Sequence, residues 1–306
     1  MTRYLYRSFV ASPAYRRQAP QDDQSGTIVG NTPSGHIITA MYKEFYHLKE
    51  EPFNITADPD FFFCSSRHTE AVNHLIYGIE QRKGIIVMTG EIGTGKTTLC
   101  RILLNRLNHK TKTAFILNPN FSETQLLQMI LKDFGLTSKN HNRLAWINSL
   151  NEFLLGETSL GHNIALIIDE AQNLRVPQLE QIRLLSNLET EKAKLLQIVL
   201  VGQPELFDKL KLPTLRQLNQ RICVRYHILP LDKSEVSHYI HHRLQVAKAT
   251  RKLNFTKEAI DALYGHSQGT PRLINILCDR ALLAGFVAES FTIDEKIINK
   301  CAREVR

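Results

Sequence analysis

Gly84-Ile85-Ile86-Val87-Met88-Thr89-Gly90-Glu91-Ile92-Gly93-Thr94-Gly95-Lys96-Thr97-Thr98 is the stretch whose reading decides the fold. Gly84–Thr89 is a short β-branched run and reads as a strand. Gly90 to Thr97 matches G-x-x-x-x-G-K-[ST], and the residues after it read as a helix to about Asn108. A strand, a glycine loop and a helix in that order make a phosphate cradle. The glycines let backbone N–H groups turn inward around an anion. The helix that follows aims its unpaired N–H groups and the positive end of its dipole at the same place. Gly90, Glu91, Ile92, Gly93, Thr94, Gly95, Lys96, Thr97 and Thr98 are therefore the candidate nucleotide-binding residues. Lys96 can reach the β- and γ-phosphates, and the Thr97 hydroxyl can ligate Mg²⁺. A chance glycine turn would lack the flanking strand and helix.

Ile164-Ala165-Leu166-Ile167-Ile168-Asp169-Glu170 supplies the second half of such a site. A fully apolar strand delivers two acids at its C-terminal end, where ligands bind in open α/β sheets. Asp169 is expected to hold Mg²⁺ through water, and Glu170 to orient or deprotonate the attacking water. Acids often terminate strands, so the pair gains its meaning from the phosphate loop.

Working outward, Thr113–Leu117, Gln197–Val201 and Cys223–Ile228 read as further strands. Ser122–Phe134, Arg143–Leu155 and Pro177–Leu188 read as helices between them. Strands separated by helices imply a parallel α/β sheet. After Pro230 the strands stop. Lys233–Ala247, Thr256–Gly265, Pro271–Ala288 and Asp294–Arg303 all read as helices, with Thr256 and Thr270 as N-caps and Pro271 at a first helical position. The expected organisation is a nucleotide-binding α/β domain over 41–231 and a small all-helical domain over 232–306. Residues 1–40 hold Pro13, Pro20, Pro33 and three glycines without sustained periodicity. They read as a disordered leader or as a start codon placed too early.

Composition sets the outer bounds. The 306 residues give room for about two domains. With 43% hydrophobic and 22% charged residues the chain is neither disordered throughout nor a long coiled coil. Its apolar runs fall far short of the about 20 residues of a membrane span. Five scattered cysteines without C-x-x-C exclude a disulfide framework and a zinc knuckle, leaving a reducing cytosol as the default. His68, His74, His241 and His242 show no metal-ligand spacing with them and read as surface or hydrogen-bonded residues. Trp146 reads as packing. The net charge of +8 is spread evenly: 4 basic against 2 acidic residues in 1–40, 22 against 19 in 41–231, and 12 against 9 in 232–306. No segment is a basic arm, so DNA binding is permitted and not required.

The sequence resembles the AAA+ ATPases, and within them the ExeA or general secretion pathway protein A group. The resemblance rests on Met41-Tyr42-Lys43-Glu44-Phe45-Tyr46, Pro52-Phe53-Asn54, Asp58-Pro59-Asp60-Phe61-Phe62-Phe63 and Leu75-Ile76-Tyr77-Gly78-Ile79. It continues in Asp169-Glu170-Ala171-Gln172-Asn173-Leu174, Val201-Gly202-Gln203-Pro204-Glu205-Leu206 and Gly269-Thr270-Pro271-Arg272-Leu273-Ile274-Asn275. It implies ATP and Mg²⁺ as cofactors, a P-loop parallel sheet in the order 5-1-4-3-2, and a helical lid. It further implies that Gln203 senses the γ-phosphate or the lytic water. Arg272 would reach across the cleft from the lid, and Arg221 would be an arginine finger acting on a neighbouring subunit. Arg216 and Arg225 are rivals for the finger. A finger in trans makes the enzyme a homo-oligomer, a ring or a filament. The same resemblance lays Met41–Ile79 over the adenine, with Phe53 and Tyr77 either lining that pocket or packed as core aromatics.

For the use of the ATP the resemblance implies a cytoplasmic ATPase that drives or regulates assembly of a cell-envelope secretion, pilus or exopolysaccharide-type machine. Several members of the group carry, after the ATPase, a membrane helix and a peptidoglycan-binding domain. The sequence runs to Arg306 at the end of the helical region with neither, so a link to the inner membrane is expected through a protein partner. The alternatives are a DNA-binding regulator of transposition like the TniB and TnsC ATPases, or a slow nucleotide-dependent scaffold.

Overall fold

Ile85, Val87, Ile86 and Met88 alternate across strand β1 (Ile85–Gly90), and each face meets its own helices. The computed structural model of the protein describes residues 42–56, 58–136, 142–191, 193–250 and 252–305. The expected leader, 1–40, lies outside the described residues, as does Met41. Four further parallel strands join β1: β2 (Thr111–Ile116), β3 (Asn163–Ile168), β4 (Gln197–Gly202) and β5 (Ile222–Ile228). Their order is β2-β3-β4-β1-β5, which is 5-1-4-3-2 read from the other edge.

The apolar strands follow from burial on both faces. Leu166, Ile198 and Leu200 join Ile85 and Val87 on one side. There they meet helices α3 (Glu123–Asp133), α4 (Arg143–Ser159) and α5 (Val176–Leu185). Trp146 of α4 is buried in this core, in keeping with a packing role. Ala165, Ile167, Val199 and Val201 join Ile86 and Met88 on the other side. There they meet α1 (Ser66–Glu80) and α2 (Lys96–Arg106). Each such Leu, Ile or Val contributes about 1.5–3 kcal/mol of burial. The edge strand β5 is half covered, and its half-buried and exposed residues alternate up to the buried Ile228.

A third core lies among α8 (Lys233–Val246), α9 (Lys257–Ser267), α10 (Pro271–Val287) and α11 (Glu295–Val305). Here the sequence expectation needs one correction, because strands do not stop at Pro230. Asn254–Phe255 (β6) pairs in parallel with Thr292–Ile293 (β7). Two-residue strands are too short to show a period, which is why the pattern hid them.

Residues 42–56 and 58–61 join this helical core and not the sheet. Tyr42, Tyr46, Phe53 and Phe61 are buried within it. The Tyr46 hydroxyl donates to the carbonyls of Leu282 (3.1 Å) and Ser290 (3.0 Å). The chain therefore passes between the helical core and the sheet cores twice, at residues 62–65 and 229–232. The two passages are tied together. The Arg67 guanidinium donates to the Pro230 carbonyl, and Ser66 Oγ donates to Glu235 Oε1 at 3.3 Å.

Gly269 closes the second passage. It sits at φ +73°, and the Leu231 N–H donates to its carbonyl at 3.0 Å. A Cβ at this position would stand 1.9 Å from the Leu231 carbonyl oxygen. Gly269→Ala combines left-handed strain with a backbone clash and is expected to cost about 3 kcal/mol or more. Denaturant unfolding checks this, and an unchanged midpoint would refute the constraint.

Candidate functional site

β1 ends at Gly90 and α2 begins at Lys96, so five residues make the turn between them. Gly93 and Gly95 take φ +81° and +93°, conformations that side chains resist. A Cβ on Gly90 would approach the Ile228 carbonyl and Thr94 Oγ1 at 3.0 Å each. Thr94 Oγ1 donates to the Glu91 carbonyl at 2.8 Å and braces the loop from within. No side chain caps α2, so its first N–H groups stay available to an anion. Lys96 is buried and donates from Nζ to the carbonyls of Gly90 (2.8 Å) and Glu91 (2.9 Å), leaving a third donor. Burial lowers its pKa, against the raising charges of Glu170, Asp169 and Glu91.

The acidic strand end lies beside this loop. Thr97 Oγ1 donates to Asp169 Oδ2 at 2.6 Å, so the two residues expected at a Mg²⁺ are already in contact. Asp169 is 1% exposed. Burial raises its pKa, and the bonds from Thr97 and from the Glu170 N–H oppose that. A hydroxyl and a buried carboxylate are the hard oxygen donors that suit Mg²⁺. Glu170 is left-handed at φ 53°, ψ 36°. Its Oε2 accepts from Gln172 Nε2 at 2.5 Å and from Gln203 Nε2 at 3.4 Å. Gln203, one residue past β4, thus reaches the same carboxylate.

These groups line a cleft of about 360 Å³ whose far wall is helical. Lys96, Thr97, Thr98, Glu170, Gln203 and Arg272 all border it, as do Ile92 through Gly95. Asp169 does not border it and is joined to it through its bond with Thr97. Arg272 starts α10 hard against the loop: its N–H donates to the Gly93 carbonyl at 3.2 Å. A Cβ on Gly93 would stand 2.5 Å from Arg272 Cβ. Arg221 does not border the cleft of its own chain. It follows the short helix α7 (Arg216–Gln220) and is half-buried. Of its rivals, Arg225 bonds the Asn219 carbonyl (2.9 Å) and side chain (2.7 Å), and Arg216 is exposed.

The apolar end of the cleft decides between the two readings of Phe53 and fits neither for Tyr77. Neither Phe53 nor Tyr77 lines it. Phe53 is buried in the helical core against Phe255, and Tyr77 is 54% exposed on α1. Ile55, Phe61, Phe62 and Phe63 stand there with Leu231 and Tyr239. In a segment this rich in phenylalanine, composition alone does not show which ring faces the cleft.

Two more residues brace the cleft, His68 in the hydrogen-bonded role the sequence allowed it and Arg243 without any sign in the sequence. His68 is buried, with Nε2 3.0 Å from the Thr94 carbonyl and Nδ1 2.8 Å from Ser65 Oγ. Burial lowers its pKa, opposed by the bond to Thr94. Arg243 is a buried cation held by neutral groups. It donates to the carbonyls of Pro52 and Asn54 (2.9 Å to the latter) and to the Tyr239 hydroxyl at 3.1 Å. Its guanidinium lies 5.1 Å from the Phe61 ring centroid. One arginine on a helix face carries no sign of burial, since the partners that hold it are backbone carbonyls about 190 residues away.

A parallel sheet in this order, with the phosphate loop after its first strand and the acidic pair after its third, gives the chain the P-loop fold of the AAA+ class. The AAA domain family matches residues 79–210. The chain is related more narrowly to general secretion pathway protein A of Aeromonas hydrophila. The two are 45% identical over 266 residues, 87% of this chain and 48% of that protein, so the chain spans about half the length of the relative. Solved structures share the fold at lower identity. The Aeropyrum pernix ORC2 protein in ADPNP–ADP complexes superposes with a TM-score of 0.62 at 13% identity, over 84% of this chain and 72% of that one. Cdc6p of Pyrobaculum aerophilum gives 0.62 at 17%, over 80% and 70%. Among the described residues no helix is long and apolar enough to cross a membrane.

Arg243→Met removes the donors that hold the Pro52 and Asn54 carbonyls. It is expected to destabilise the fold by about 2 kcal/mol, the usual cost of orphaning a buried polar group. Chemical denaturation measures this, and a stability equal to the parent's would show that water replaces the arginine.

Proposed function

We propose that the chain binds MgATP in this cleft and hydrolyses it as one subunit of an oligomer that drives or regulates assembly of a cell-envelope secretion machine. The observation that carries the catalytic part is the contact of Thr97 with Asp169 beside Lys96, with Glu170 and Gln203 converging on the same cleft. The N–H groups of Gly90–Thr98 cradle the phosphates, and Lys96 exchanges its loop carbonyls for β- and γ-oxygens. Thr97 and Asp169 hold Mg²⁺, which when bound neutralises phosphate charge. Glu170 orients the attacking water and takes its proton, and Gln203 bonds the γ-phosphate or that water. Arg272 reports the γ-phosphate to the helical lid, residues 232–306, onto whose core Tyr42, Tyr46, Phe53 and Phe61 also pack. Arg221, which does not border its own cleft, serves a neighbour's ATP as the finger. The envelope role is supported by the relation to general secretion pathway protein A. A peripheral place at the inner membrane would come through a protein partner.

Turnover tests the reading. Lys96→Ala is expected to abolish nucleotide binding. Glu170→Gln is expected to keep ATP bound while hydrolysis falls about 10²-fold or more. A Glu170→Gln enzyme that turns over normally removes Glu170 from the mechanism.

The oligomer has its own test. Arg221→Ala subunits are expected to lose activity alone and recover part of it when mixed with Lys96→Ala subunits, and a trans finger is worth about 10³–10⁵ in rate. Absence of recovery at every ratio counts against a finger in trans. The specific rate should also climb with protein concentration and ignore duplex DNA. Strong DNA stimulation lost as salt rises would point to a transposition-type regulator instead.

A further inference from the structure

Gln172 stands among the catalytic groups with no role in the scheme above. It lies in the 3₁₀ turn Ala171–Asn173 directly after the acidic pair. Its Nε2 donates to Glu170 Oε2 at 2.5 Å, and its Oε1 accepts from the Gln203 backbone N–H at 3.0 Å. One amide thus joins the end of β3 to the end of β4. Lys209, on the helix α6 (Glu205–Leu210) that follows β4, donates to the backbone carbonyls of Gln172 and Leu174, the latter at 2.8 Å. Gly202 leaves the room this needs, because a Cβ there would stand 2.8 Å from Gln172 Oε1 and 3.2 Å from its backbone nitrogen. Glu170 meanwhile holds a left-handed conformation that a non-glycine residue keeps only when its surroundings fix it. Among the described residues, Glu170 Oε1 accepts no hydrogen bond, so the carboxylate is held by one oxygen and leaves the other for water.

We propose that Gln172 is the positioning residue for Glu170, fixing its carboxylate by Oε2 and tying that position to the strand end that carries Gln203. A shift of Gln203 toward a γ-phosphate is thereby passed to Glu170 through a single amide. The inference rests on the reading of Glu170 as the group that orients the attacking water. Misplacing a reacting group by about 1 Å can cost about 10²-fold in rate, so a loosened carboxylate has a large effect without any change in binding.

The test compares the full chain with Gln172→Met, Glu170→Gln and the double variant, each measured for ATP hydrolysis and for ATP affinity. Methionine keeps the length of glutamine and removes both polar atoms. The expected result is a kcat lowered about 10- to 10²-fold in Gln172→Met with nucleotide Kd unchanged, a split that marks an effect on turnover alone. The double variant should be no slower than Glu170→Gln, because Gln172 acts through that carboxylate. A normal kcat in Gln172→Met, or a double variant slower by the full factor, overturns the inference while leaving Glu170 its role. A fully active Glu170→Gln enzyme overturns both. If Gln172→Met fails to bind ATP, Gln172→Glu decides, since it keeps an acceptor for the Gln203 N–H and loses the donor to Glu170. Retained turnover in that variant overturns the inference.

Discussion

The parallel pairing of β1 with β4, and of β4 with β3, is the constraint on which the site depends. Lys96, Asp169 and Gln203 are separated by 73 and 34 positions in sequence, and no local preference could bring them together. The ladder does it by register. Val87 faces Leu200, Leu200 faces Ile168, and all three strands run the same way. Their C-terminal ends therefore share one edge. The loop after β1, the acids after β3 and the glutamine after β4 must emerge side by side. A slip of one residue would turn every strand side chain to the opposite face and exchange the contents of two cores. Burial on both faces thus fixes the site as firmly as it fixes the sheet.

What the sequence made legible follows from how far each signal reaches along the chain. The phosphate loop and the acidic strand are contiguous motifs, and their chemistry was readable from residue types and spacing. The strand order and the places of Gln203, Arg221 and Arg272 came from family resemblance. The structure sets Gln203 and Arg272 at the cleft and Arg221 outside it. Long-range partnerships left no trace. His68 is one histidine in a polar stretch until it is seen against the Thr94 carbonyl. Arg243 shows its burial only when the carbonyls of residues 52 and 54 are beside it. Phe53 and Phe61 are alike in the sequence, yet one fills a core and the other borders the cleft as well.

The cleft wall opposite the phosphate loop is assembled from two distant parts of the chain. Residues 55–56 and 58–63 and the helices α8 and α10 meet there, joined by a chain of polar contacts. Tyr239 donates to Asn275 Oδ1 at 2.7 Å, and Asn275 Nδ2 reaches the Asn54 carbonyl at 3.3 Å. Every polar group named in this chain has a partner, which is what permits such a network inside a core. The wall consequently behaves as part of the helical body, while the floor belongs to the sheet. A nucleotide in the cleft touches both.

The two passages between those bodies have a mechanical meaning. Residues 62–65 and 229–232 run side by side, held by Arg67 on the Pro230 carbonyl and by Ser66 on Glu235. A body fastened at one point can swing and twist in any direction. A body fastened at two adjacent points keeps one easy rotation, about the line that joins them. The helical body has a further tie to the sheet at Arg272, whose N–H donates to the Gly93 carbonyl, so the phosphate loop bears on that body away from the line of the two passages.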